Sequence, residues 1–249
     1  MSDDTDGAAV PTVRVSFDGK SHSSYTYNQA NGTLSIALPI ADGAQHRVSV
    51  VAGDASGNLS RAGVSVGTAS TTPAFADMHE HWANDAVAYL KRSGISNGSN
   101  GYFLPDTNIS RQEFAVLLSR YLGASVDLSS VQLPFADVNQ IAPWALDGAK
   151  TMYVLGIIKG SSDDSGKLYF NPAANVSRQE AVTMLGRLTE KGYAQGALKF
   201  TDSASIQSWA AEYVSTLSEM GILTGFNDGS FRPNGAMTMA QVATVLYKF

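Results

Sequence analysis

Two arginines occupy the same place in matching short motifs: Arg111 in Ser110-Arg-Gln-Glu113 and Arg178 in Ser177-Arg-Gln-Glu180. A hydroxyl residue followed three positions later by Glu is a capping box. The hydroxyl serves the third helical amide and the carboxylate reaches back to the amide of the cap residue. Each Arg therefore opens a helix, where the macrodipole is positive and a cation is disfavoured by up to about 1 kcal/mol. An Arg beside free helix N–H groups suits an anion, and its fork can hold a carboxylate through two bonds. Two plainer readings stand beside this one. Glu113 and Glu180 neutralise the arginines next to them, or each Arg bridges to a neighbouring unit. A third copy, Thr238-Met-Ala-Gln241, keeps the cap and lacks the Arg. A site that depends on position 239 is expected to bind weakly or not at all.

Other residues recur at matching positions. Trp82, Trp144 and Trp209 are each followed by Ala. A tryptophan can stack on the apolar face of a sugar while donating its indole N–H, or it can pack in the core where a helix begins. Gly98, Gly160 and Gly225 suit turns that need positive φ, and equally a backbone that a ligand approaches closely. Asp77, Asp137 and Asp202 precede a helix and read as caps or dipole partners. Ser110 and Ser177 are caps first, and ligand contacts where the cap leaves the hydroxyl free.

These residues sit in an internal repeat. Each unit opens with Phe-x-Asp at Phe75, Phe135 and Phe200. Gly-Ile follows at Gly94, Gly156 and Gly221, and Phe-x-Pro at Phe103, Phe170 and Phe231. The spacing from Trp to Gly-Ile, and from Pro to the capping hydroxyl, is the same in all three copies. Apolar pairs Val87/Leu90, Ala149/Met152 and Val214/Leu217 mark one face of a first helix. The Gly after it suits a left-handed cap. The capping box opens a second helix, with apolar residues from Phe114, Val182 and Val242 onward. A single helix–loop–helix unit cannot bury its apolar face, but three can close around a shared axis.

Residues 10–67 read differently. Val13/Val15/Phe17, Leu34/Ile36/Leu38, Val48/Val50 and Val64/Val66 alternate with period two, and turn pairs such as Asp18-Gly19 and Asp42-Gly43 separate them. That pattern predicts a small antiparallel β-sandwich. Gly67-Thr-Ala-Ser-Thr-Thr-Pro73 reads as a linker, placed at 68–73.

Composition narrows the function. Of 249 residues, 44% are apolar and 16% charged, which excludes wholesale disorder. The net charge of −5 argues against general nucleic-acid binding. With no cysteine, disulfides, thiolate zinc sites and cysteine nucleophiles are out. His22, His46, His79 and His81 lack a zinc-ligand spacing. Asp163-Asp-Ser-Gly166 and Asn227-Asp-Gly-Ser230 are better read as turns than as calcium loops. No apolar run is long enough to span a membrane, and no catalytic, metal or cofactor-binding pattern is present. The acidic start, Met1-Ser-Asp-Asp-Thr-Asp6, lacks a leader pattern. Either the protein is not exported or the chain is part of a longer exported one.

Residues 74–249 resemble three tandem S-layer homology motifs, with repeats at 74–124, 134–192 and 199–249. The carriers are the Phe-x-Asp openings, the Trp-Ala pairs, the Gly-Ile segments and Ser-Arg-Gln-Glu, which stands where the family has Thr-Arg-Ala-Glu. The resemblance implies an all-α, pseudo-threefold domain with grooves between motifs. Those grooves would hold a secondary cell-wall polysaccharide attached to peptidoglycan, often through a terminal pyruvylated N-acetylmannosamine, whose pyruvyl ketal supplies a carboxylate. Carried onto this sequence, Arg111 and Arg178 would be anion grips. Trp82, Trp144, Trp209, Gly98, Gly160, Gly225, Ser110, Ser177, Asp77 and Asp137 would line the sites. Residues 10–67 resemble bacterial immunoglobulin-like modules through Asp42-Gly-Ala-Gln-His46 and Asp54-Ala-Ser-Gly-Asn58, although a seven-strand sandwich needs about 100 residues. The whole is thus expected to be a multidomain, non-catalytic, extracellular wall anchor. The alternative is an interaction module contacting other surface-layer proteins in a lattice.

Overall fold

A computed structural model describes residues 12–28, 30–40, 44–54, 58–67, 73–189 and 196–249. The Asp42-Gly43 turn, the centre of Asp54–Asn58 and the linker up to residue 72 lie outside the described residues.

The alternating segments form strands as their periodicity predicts. β1 (Thr12–Phe17), β2 (Lys20–His22), β5 (His46–Gly53) and β6 (Leu59–Val66) make one antiparallel sheet in the order β2-β1-β5-β6. Asp18 and Gly19 join β1 to β2 with φ of 49° and 74°, the two-residue turn whose twist matches the strands. β3 (Tyr25–Asn28) and β4 (Thr33–Ile36) form a separate hairpin, tied to β1 where the Tyr25 hydroxyl donates to the Val13 carbonyl at 2.5 Å. The expected immunoglobulin-like sandwich is therefore corrected. The six strands described make a four-stranded sheet and a two-stranded hairpin, and three- and four-residue strands offer too little length for a full second layer.

The three repeats supply α1 (Asn84–Arg92), α2 (Arg111–Leu122), α3 (Leu146–Val154), α4 (Arg178–Gly186), α5 (Ser208–Glu219) and α6 (Met239–Lys248). The second helix of each repeat packs on the first helix of the next: α2 on α3, α4 on α5, and α6 back on α1. A triangle of backbone bonds closes the ring. The Ile109 amide donates to Met237 O, Met237 to Val176 O and Val176 to Ile109 O, each at 3.0 Å. All three side chains are buried at the centre of a single apolar core.

The first helices end as their glycines predict. Gly94, Gly156 and Gly221 all have φ of 70°, and the next residue, Ile95, Ile157 or Ile222, bonds back to Leu90, Met152 or Leu217. The all-α expectation is corrected here too. β7 (Ser161–Ser162) pairs with β8 (Leu168–Tyr169), and bridges Asn108–Thr238, Ser110–Asn175 and Ser177–Ala236 join the segments that lead into the second helices. The hairpin is too short to show a periodicity, and the bridges use backbone groups between distant segments, so no side-chain pattern announces either.

Candidate functional site

The capping boxes form in all three repeats, with Ser110, Ser177 and Thr238 accepting from the amides of Glu113, Glu180 and Gln241. The two serine hydroxyls also donate to those Glu carboxylates at 2.6 Å, so both are engaged within the cap. The first helical amides are not free either. Arg111 N donates to Ala174 O at 2.9 Å and Gln112 N to Pro172 O at 3.1 Å. Arg178 and Gln179 do the same to Gly235 and Pro233, and Met239 and Ala240 to Thr107 and Pro105. The expectation of free helix N–H groups beside each Arg is thus corrected, because the loop of the next repeat in the ring occupies them. Any anion recognition falls to side chains.

The two arginines then part company. Arg111 is 9% exposed. Its Nε donates to Phe170 O at 2.8 Å and its Nη1 to Glu180 Oε1 at 2.7 Å. Arg111 therefore reaches the capping Glu of the following repeat, which is the bridging alternative raised by the sequence. Applied to Arg178, the same rule leads to position 241, where repeat three has Gln. Arg178 is 8% exposed and donates from Nη2 to Thr224 O at 2.7 Å. Its guanidinium lies 5.2 Å and 5.1 Å from the ring centres of Phe226 and Phe231. Its Nε is buried without a hydrogen-bond partner, and among the described residues it forms no ion pair. Burial first, and then the nearby Arg232 charge, push its pKa down from the ordinary 12.5 to about 10, with Asp202 acting the other way. Closing the cycle, Met239 stands where an Arg would face the exposed Glu113.

Arg178 opens onto a groove between repeats with a cavity volume of about 220 Å³. Its walls bring together residues from all three repeats: Trp82, Arg178, Gly225, and from α6 Gln241, Thr244 and Lys248. Trp82, Arg178 and Gly225 were legible in the sequence as candidates. Gln241 and Lys248 were missed as site residues. The signal for Gln241 was its place in the motif, and for Lys248 its position seven residues further along the same helix. Arg111, Trp144, Trp209, Gly98 and Gly160 do not line this groove.

The tryptophans are on the surface rather than in the core, with exposures of 64%, 57% and 48%, while the alanines after them are buried. The opening aspartates do not cap with their side chains, although Asp137 and Asp202 stand at the N-cap positions of short 3-10 turns. The carboxylate of Asp77 accepts from the amides of Phe103 and Leu104, that of Asp137 from Phe170 and Asn171, and that of Asp202 from Phe231 and Arg232. The second residue of each pair has φ near 56–59°, so the Asp pins a strained turn in its own repeat. Gly98 and Gly160 have positive φ, and a Cβ there would stand 2.5 Å and 2.6 Å from the rings of Phe75 and Phe135. Gly225 lacks the positive φ, and its nearest neighbours would be at 3.0 Å.

A closed ring of three related units, with a cationic, aromatic-walled groove between them, defines a repeat-built binding module. The profile of the S-layer homology domain matches residues 74–115, 134–182 and 199–243, more than half of the chain. The chain belongs to that family, and the matched segments are its binding module. It is 28% identical to S-layer protein EA1 of Bacillus anthracis, over 66% of this chain and 18% of that protein. It is 28% identical to a cellulosome-anchoring protein of Acetivibrio thermocellus, over 59% of this chain and 33% of that protein. It is 26% identical to exoglucanase XynX of the same species, over 77% and 17% respectively. The chain thus spans no more than a third of the length of any of these relatives. No helix among the described residues is long and apolar enough to cross a membrane.

Proposed function

We propose that this chain holds a surface protein on the outside of the bacterial cell wall. It does so by binding a secondary cell-wall polysaccharide, at its pyruvylated N-acetylmannosamine end, in the groove that carries Arg178. Residues 74–249 act as the anchor and residues 10–67 as a spacer, with the linker between them. The observation that carries the reading is the unpaired Arg178. A buried guanidinium with an idle Nε and, among the described residues, no carboxylate partner is costly, and it stands in an open groove beside an exposed tryptophan. A carboxylate on a sugar supplies both the charge and the two-pronged acceptor that this Arg lacks, and Trp82 offers a face for the ring. In this reading Arg111 is structural, because Glu180 already holds it.

The test is calorimetric titration of the whole chain with purified wall polysaccharide, native and stripped of its pyruvyl groups. The native polymer is expected to bind and the stripped polymer to bind at least ten-fold more weakly. Arg178→Gln is expected to lose about thirty-fold or more, since truncating one partner of a buried charge pair costs about 2–5 kcal/mol. Absence of binding to the native polymer refutes the anchor and favours protein–protein contacts in a surface lattice.

A further inference from the structure

Trp82 is held differently from the other two tryptophans. In repeats two and three the turn before the Trp is fixed from the preceding repeat. Ala142 N donates to Gln112 Oε1 at 3.0 Å, and Gln207 N to Gln179 Oε1 at 3.1 Å. Ala142 and Gln207 stand two residues before Trp144 and Trp209, with φ of −61° and −66°. At the third seam Ala240 takes the place of the two glutamines, and a methyl group cannot accept a hydrogen bond. Glu80, two residues before Trp82, has φ of 57°, so this turn runs through the left-handed region instead. A histidine takes over the fixing. His81 stands where the other repeats have Pro143 and Ser208. Its Nδ1 accepts from the Ala83 amide at 3.1 Å, and its ring centre lies 5.3 Å from that of Trp82. Its Nε2 is 3.7 Å from Asp106 Oδ1, in the loop before α2. Because Nδ1 accepts, the ring proton sits on Nε2, toward that carboxylate. Ala83 is the buried N-cap residue of α1. One imidazole thus ties together the start of α1, the loop before α2 and the Trp that walls the groove.

We propose that His81, backed by Asp106, is the positioning residue for Trp82, and that it makes the groove's hold on a sugar sensitive to acid. A proton added at Nδ1 turns the acceptor for the Ala83 amide into a donor facing it. Both nitrogens of the charged ring donate, so no ring flip restores an acceptor. Asp106 is exposed and returns little for the new charge. The other charged or titratable groups on the elements that meet here are His79 and Glu80, exposed in the same turn, Asp85 in the first turn of α1, and Arg178 and Lys248 in the wall of the groove. As pH falls the turn loosens, and Trp82 loses the fixed orientation that stacking on a sugar ring needs. This rests on the function proposed above. It adds the residue that orients the aromatic wall and a condition under which the anchor lets go.

The test titrates native wall polysaccharide into the full chain and three variants at about pH 8 and about pH 5.5, on either side of the range in which histidines titrate. The parent chain is expected to bind about three- to ten-fold more weakly at the lower pH, the weight of one well-placed aromatic contact. His81→Asn offers an oxygen to the same amide two residues on and has no group to titrate. It should keep the higher-pH affinity to within about three-fold and show no response to acid. His81→Ala should show the weaker affinity at both pH values. Trp82→Ala should bind more weakly and also lose the acid response, which separates positioning of Trp82 from general support of the fold. Thermal melts at both pH values accompany each variant. Equal affinity of the parent chain at the two pH values overturns the role of His81 and leaves the anchor standing. An acid loss that persists undiminished in His81→Asn or in Trp82→Ala does the same. Failure of the parent chain to bind the native polymer at the higher pH overturns the anchor and this inference with it.

Discussion

Replacing each motif Arg by Met, the residue that repeat three already carries at position 239, should move stability in opposite directions. Arg178 is the charge that has no ion-pair partner among the described residues. Its fall in pKa from 12.5 to about 10 corresponds to roughly 3 kcal/mol against the charged form. The contacts with the rings of Phe226 and Phe231 return about 1–2 kcal/mol, and a thioether retains part of that. The carbonyl of Thr224, on an exposed residue, can turn to water. Arg178→Met should therefore stabilise the fold by about 1–2 kcal/mol, in line with replacement of other buried charges by apolar groups. Arg111→Met removes the donor to the buried Phe170 carbonyl and leaves Glu180 without its cation. Because Glu180 is partly exposed, the loss is about 2–4 kcal/mol rather than more. Urea unfolding followed by circular dichroism, with thermal melts, measures both. For a domain of this size 1 kcal/mol moves Tm by about 2–4 °C. If both variants shift the same way, or Arg178→Met destabilises by more than about 1 kcal/mol, the claim that Arg178 is an unsatisfied charge is wrong.

Other outcomes follow from the same contacts. Asp137→Ala leaves the Phe170 and Asn171 amides without an acceptor and should cost about 2–4 kcal/mol in urea unfolding, an effect absent if the residue were only a dipole partner. Gly160→Ala meets both a positive φ and the Phe135 ring, whereas Gly225→Ala meets only contacts that a few tenths of an ångström relieve. The first should therefore lower stability by at least about 2 kcal/mol more than the second. Affinity for the anionic polymer should fall about three- to ten-fold between low and high salt, because a chain of net charge −5 must rely on local cations. Affinity that does not respond to salt would place recognition on the tryptophans instead.

Much of this molecule was written in local patterns. The capping boxes, the left-handed glycines and the apolar stripes each depend on residues a few positions apart, and the ring of three repeats followed from their number. The candidate site was legible as residue types, with Trp82, Arg178 and Gly225 drawn into one groove. What could not be read was which partner each residue meets across the ring. Arg111 and Arg178 have the same neighbours in sequence. They differ because the residue facing each belongs to the next repeat, Glu180 in one case and Gln241 in the other. The helix amides looked free because their acceptors, Ala174 and Gly235, come from another repeat. The aspartates looked like caps because their true partners lie 26–34 residues downstream. For the tryptophans the sequence left core packing and stacking both open, because large aromatics often pack inside, while here the small Ala after each Trp fills the interior position.

The central claim is that Arg178 is available to a ligand because position 241 is Gln. Gln241→Glu tests it without removing the Arg, by recreating the pair seen between Arg111 and Glu180. Titration with the native wall polysaccharide should then show affinity reduced at least ten-fold, while the melting temperature stays level or rises by a few degrees, about 1 kcal/mol of added stability. Undiminished binding in Gln241→Glu, with the fold intact, would contradict the claim.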